Sequence, residues 1–126
     1  KFGEAIGMAF QIQDDILDFK RDNNTGKPSN NDLREKKITL PMLEVIERKS
    51  EEERRVMLDL LKRASEDESA VDELHRIVVE GGGPELAAET MHAYIHRAMH
   101  HASKYPDTPY RRAMLDLCTF IAERDR

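Results

Sequence analysis

Apolar residues recur along this chain at three- and four-residue intervals, and no stretch sustains the alternation of a strand. The pattern predicts an all-α protein of about six helices. The first runs from the start of the chain to about Lys20. A polar loop rich in Asn, Asp, Lys, Gly and Pro covers Arg21 to about Ile38. A second helix begins near Thr39, with Pro41 tolerated in its first turn, and ends near Lys49. Ser50 and Glu53 make a capping-box signature for a third helix that reaches about Ala64. Ser69 and Asp72 are the expected caps of a fourth, which stops at Gly81-Gly82-Gly83, a triplet suited to a left-handed turn. Pro84 opens a fifth that ends near Tyr105-Pro106. Thr108 and Pro109 start a sixth, with Tyr110, Met114, Leu117, Phe120 and Ile121 on its apolar side.

Residues 10–18, Phe-Gln-Ile-Gln-Asp-Asp-Ile-Leu-Asp, break this plain amphipathic picture. At about 100° per residue, with Asp14 at zero, Asp18 falls near 40°, Gln11 near 60°, Asp15 near 100° and Gly7 near 20°. Phe10 borders that arc. Ala5, Met8, Ala9, Ile12, Ile16 and Phe19 fill the opposite, core-facing side, and Gln13 fits neither. A solvated face is the plain alternative. Two facts weigh against it. The three Asp residues sit in the second half of the helix, where the macrodipole disfavours negative charge. Asp is also a poorer helix former than Glu, which solubility alone would favour. A divalent cation answers both objections. Mg²⁺ binds through one or two carboxylates plus substrate phosphate, so the ion in turn implies a phosphorylated ligand. In the loop that follows, Lys27 and Lys37 supply point charges for phosphate oxygens, and Asp32 stands between them.

Composition narrows the function without choosing it. The 126 residues are 39% hydrophobic and 36% charged with a formal charge of −5, a globular balance that argues against a general nucleic-acid binder. No apolar run is long enough for an integral membrane segment. The single cysteine, Cys118, excludes an internal disulfide, reads as packing, and fits a reducing, cytoplasmic setting. No internal repeat or domain boundary stands out, so residues 1–126 read as one helical domain. The helical pattern is already running at Phe2 with no cap ahead of it, which leads us to expect a piece of a longer protein.

The ordered set of tags is specific where each alone is weak. Phe10-Gln11, Asp14-Asp15-Ile16-Leu17-Asp18, Gly26-Lys27-Pro28, Asp32-Leu33-Arg34-Glu35 and Lys37-Ile38-Thr39-Leu40-Pro41 resemble the second aspartate-rich motif of the trans-isoprenyl diphosphate synthases (polyprenyl synthetases) and the segment after it. The stretch from Tyr110-Arg111-Arg112-Ala113 to Ile121 resembles the C-terminus of their bacterial long-chain members. Lys36 departs from the pattern, since many relatives carry Gly there. The family's first aspartate-rich motif, which holds two of three magnesium ions, and its isopentenyl diphosphate-binding basic residues have no counterpart in this sequence.

The resemblance implies the C-terminal part of an isoprenoid-synthase-type helical bundle and a Mg²⁺-dependent condensation of an allylic diphosphate with isopentenyl diphosphate. It implies Asp14 as direct ligand of the third ion, with Asp15 and Asp18 holding its waters or completing the face. Asp32 would support the metal, Lys27 and Lys37 would contact the allylic diphosphate, Gln11 would sit beside its allylic end and Phe10 would line the prenyl pocket. The whole enzyme is expected to be a homodimer. The 126 residues alone are expected to lack turnover and to self-associate through an exposed apolar side of the first helix. Two other readings stay open: a non-catalytic subunit or helical interaction module, and a terpene cyclase-like protein. The Lys27–Pro41 segment argues against the cyclase.

His92, His96 and His100 form an i, i+4, i+8 row. They share an arc with Glu85 and Glu89, away from Ala87, Met91, Tyr94, Ile95, Ala98 and Ala102. The row therefore reads as a solvent face rather than a zinc site.

Overall fold

The computed structural model describes residues 1–20 and 30–124. Among them are seven helices and no strand: α1 (Phe2–Asp18), α2 (Asn31–Arg34), α3 (Leu40–Ile46), α4 (Glu51–Arg63), α5 (Glu68–Glu80), α6 (Gly83–Ala102) and α7 (Pro109–Glu123). The added element, α2, falls inside the stretch expected to be loop. It is one turn long and buries only Leu33, too little for a helical period to register.

The chain divides into two compact units. The first comprises Lys1–Asp14 and Ala88–Arg126. Here α1 buries Ala5, Ile6, Ala9 and Ile12, α6 buries Met91, Ile95, Ala98 and Ala102, and α7 buries Met114, Cys118 and Ile121. Thr108 caps α7 by accepting from the Arg111 N–H, and Pro109 follows in the first turn. The packing role expected of Cys118 holds, and burial pushes its thiol pKa up. Gln13, which fitted neither face, is buried. Its Nε2 donates to the carbonyls of Ile121 (3.3 Å) and Arg124 (2.7 Å), where the end of α7 offers the Ile121 carbonyl only the Arg124 N–H at 3.4 Å. Three residues expected on α7's apolar side are instead exposed, Tyr110 (65%), Leu117 and Phe120 (62%), as is Met8 on α1. The inward stripe of α7 is Met114-Cys118-Ile121, so periodicity found the apolar residues but not which of them the fold covers.

The second unit is Asp15–Ala87. Its core joins Phe19, Leu33, Met42, Val45, Ile46, Met57, Leu60, Leu61, Ala64, Ala70, Val71, Leu74 and Val78, with α3, α4 and α5 packed on one another. Full burial of side chains such as Met57 or Leu74 contributes about 1.5–3 kcal/mol each. The Ser50–Glu53 capping box starts α4 as expected. The cap of α5 lies further upstream than expected: the Asp67 carboxylate accepts from the Ser69 N–H (3.0 Å) and hydroxyl (2.6 Å). Both caps hold their carboxyls below the usual range, Glu53 chiefly through the Ser50 N–H and Asp67 chiefly through the Ser69 hydroxyl.

The glycine triplet ends α5 with Gly82 at φ +79°. Gly83 serves close packing instead: a Cβ there would lie 2.5 Å from the Pro41 carbonyl oxygen and 2.7 Å from Val78 Cγ1.

Candidate functional site

The carboxylates at the end of α1 are engaged in different ways. Asp14, half exposed at 50%, pairs through Oδ1 with Arg124 Nη2 at 3.1 Å. The Arg124 guanidinium also lies 5.1 Å from the centre of the Phe10 ring, so Phe10 is an exposed aromatic under a cation. Gln11 is exposed and Asp15 half-buried.

Asp18 lies one turn after Asp14 and binds backbone. Its Oδ1 accepts from the Asn31 N–H (3.1 Å) and its Oδ2 from the Asp32 N–H (3.0 Å). Its main-chain carbonyl accepts from the Asn30 N–H at 2.8 Å. Asn30, the residue preceding α2, makes no side-chain cap, so the carboxylate of Asp18 does that work from a distance. Negative charge at a helix N-terminus is electrostatically favoured, which makes Asp18 a structural brace of α2.

α2 and its exit carry the next expected residues. Asp32 is half-buried, and its carbonyl accepts from the Lys37 N–H at 2.8 Å. Lys36 sits between them at φ +61° with its N–H donating to the Leu33 carbonyl (3.0 Å). These two bonds form a Schellman turn, whose left-handed position favours Gly. The Lys37 ammonium is exposed and lies 3.1 Å from Glu35 Oε1. Its pKa is raised, first by that hydrogen bond and then by the charge of Glu35, with smaller contributions from Asp32 and Asp15. Lys37 therefore stays cationic near the acidic end of α1. Arg34 forks onto Glu68, the first residue of α5, with Nε 3.1 Å from Oε1. That hydrogen bond leads the upward shift of the Arg34 pKa. Lys27, with Gly26 and Pro28, lies outside the described residues.

Sequence reasoning missed Asn30 and His75, which meet at 2.6 Å. Neither belongs to the motif, and their separation of 45 residues leaves no local signal.

Among the described residues, no three His, Cys, Asp or Glu side chains converge to hold a metal. The row on α1 is thus no preformed cage. Its chemistry still suits Mg²⁺, which binds by one or two carboxylates completed by substrate phosphate and water. The half-exposed carboxylate of Asp14 meets that description. His92, His96 and His100 are all exposed, in keeping with a solvent face.

Residues 1–78 match the family described as polyprenyl synthetase. The chain belongs to that family. A short chain isoprenyl diphosphate synthase from Methanothermobacter thermautotrophicus is 33% identical over 125 residues, covering 98% of this chain and 38% of that protein. Heptaprenyl diphosphate synthase from Staphylococcus aureus superposes with a TM-score of 0.86 at 28% identity, covering 99% of this chain and 39% of that one. A polyprenyl synthase from Caulobacter crescentus, solved with calcium and isoprenyl diphosphate, gives 0.85 at 27% identity over 99% and 38% of the two chains. This polyprenyl synthetase chain therefore spans less than two-fifths of the length of these relatives. The helical bundle is that of the isoprenoid synthases. No single member stands out, since the relatives' names run from short-chain to nonaprenyl products. Among the described residues no helix is long and apolar enough to cross a membrane.

Proposed function

We propose that the whole protein is a magnesium-dependent trans-prenyltransferase that condenses an allylic diphosphate with isopentenyl diphosphate. The observation that carries this is the brace between Asp18 and α2. It ties the acidic end of α1 to the segment bearing Asp32 and Lys37, so carboxylates for a cation and a lysine for phosphate come from one braced turn. Mg²⁺, when bound, neutralises the charge that develops on departing diphosphate.

The chain's own residues divide the remaining work. Asp14 supplies the direct ligand, exchanging its pairing with Arg124 for the ion. Asp15 and Asp18 hold the ion's waters; each oxygen of Asp18 retains a lone pair beyond the one used on α2. Asp32 supports the metal and Lys37 network. Lys27 and Lys37 hold the diphosphate oxygens. Gln11 and Phe10 stand toward the allylic end and its prenyl tail. The resemblance of the stretch from Tyr110 to Ile121 to bacterial long-chain members makes octaprenyl diphosphate synthase the name this reading favours, product length being set elsewhere in the whole protein. The whole enzyme is read as a cytoplasmic homodimer. The 126 residues alone are read as inactive, because they contain no first aspartate-rich motif.

Asp14→Ala in the full-length enzyme tests the central assignment. Its half-exposed pairing with Arg124 is worth about 1 kcal/mol, so the melting temperature should move by only a few degrees. Turnover should fall by about 10²–10³, the scale of losing one charge-stabilising group. Near-normal turnover would defeat the assignment.

A further inference from the structure

Asn30 is 2% exposed and holds φ +66°, a left-handed conformation that Asn tolerates better than most residues with side chains. Its amide oxygen faces Nδ1 of His75 at 2.6 Å. An amide oxygen only accepts, so Nδ1 carries the proton and donates it. The His75 ring stacks on Phe19, with centroids 5.8 Å apart and planes inclined by 28°. Phe19 is buried immediately beyond the end of α1, and the neighbours of His75 on α5, Val71, Leu74 and Val78, are fully buried. One imidazole thus touches both the exit of α1 and the entry of α2, from a helix anchored in the core. The main chain of Asn30 closes the arrangement by donating to the Asp18 carbonyl at 2.8 Å.

We propose that His75 is a positioning residue for the acidic row. By gripping the Asn30 amide it fixes the left-handed turn that presents the N–H groups of Asn31 and Asp32 to the Asp18 carboxylate. It thereby sets where Asp32 and Lys37 stand. The consequence for ligand binding rests on the prenyltransferase reading above; the latch itself does not.

The test uses the full-length protein and two readouts. The first is amide hydrogen exchange at Asn31 and Asp32, which needs neither metal nor substrate. His75→Ala should speed exchange there roughly tenfold, the effect of losing one part-buried hydrogen bond. His75→Gln, which keeps an N–H donor, should restore most of the protection. In an Asn30→Gly background the turn forms without a side-chain acceptor, so His75→Ala should add little. An equal effect of His75→Ala in both backgrounds, or no rescue by Gln, makes His75 a space-filling residue and overturns the proposal. The second readout is calorimetric affinity for inorganic pyrophosphate with Mg²⁺. It should fall about tenfold in His75→Ala and recover in His75→Gln. If exchange responds and this affinity does not, the latch stands and the placement of diphosphate beside α2 falls.

Discussion

Replacing Lys36 by Gly should stabilise the protein. Lys36 occupies the left-handed position of the Schellman turn that ends α2, at φ +61°, with an exposed side chain. A Cβ in that conformation costs about 1–2 kcal/mol. Glycine removes the clash but widens the unfolded ensemble, which offsets about 0.5–1 kcal/mol of the gain. The expected net gain is about 0.5–1 kcal/mol, or roughly 2–4 °C in melting temperature for a chain of this size. Urea unfolding followed by circular dichroism measures it, with an unchanged slope marking a stability effect. Lys36→Ala is the control, because it removes the charge and stem but keeps the Cβ. It should stay within about 0.5 kcal/mol of the parent. The reasoning fails if the Ala variant gains as much as the Gly variant, or if Gly lowers the midpoint.

Gln13→Leu should cost about 1–3 kcal/mol in thermal unfolding, because the Arg124 carbonyl loses the Gln13 donor and the Ile121 carbonyl keeps only the long bond from the Arg124 N–H. Gly83→Ala should cost about 1–3 kcal/mol, since its Cβ meets the fixed Pro41 carbonyl; Gly7→Ala, with open space around it in mid-helix, should be neutral or stabilising by about 0.5–1 kcal/mol. The lowered carboxyl pKa values of Glu53 and Asp67 mean that the native state binds fewer protons than the unfolded state across the acid range. Their stabilisation is full above the ordinary carboxylate values, about pH 4–4.5, and is lost as pH falls through the depressed ones. Urea midpoints measured from pH 6 to pH 3 should therefore fall less steeply in Asp67→Asn than in the parent, and equal slopes would contradict the cap.

What the sequence disclosed follows the range of each interaction. The Ser50–Glu53 box spans three residues and was legible; so was the inward row Ala87, Met91, Ile95, Ala98 and Ala102 on α6, with the three histidines outside it. The cap of α5 was misjudged by two residues because Ser69 presents the right residue type while Asp67, just upstream, already takes its hydroxyl and N–H. Gln13 was opaque because its partners lie 108 and 111 residues away. At the candidate site, the acidic stripe and its lysines were visible as a motif. That Asp18 braces α2, and that His75 holds Asn30, was not, because both depend on segments brought together by the fold. Tyr110, Leu117 and Phe120 show the same limit from the other side: hydrophobicity marks a residue as suited to burial without naming what covers it.

The bond between Gln13 and the last turn of α7 bears on the order of events at the ribosome. Residues 15–87 form one unbroken run, and their unit can close once Ala87 clears the exit tunnel. The other unit is split around that run, and Gln13 must wait for the carbonyl of Arg124. Nascent chains released before that point should hold a folded 15–87 unit and an α1 without its tether, the species on which a chaperone would act first.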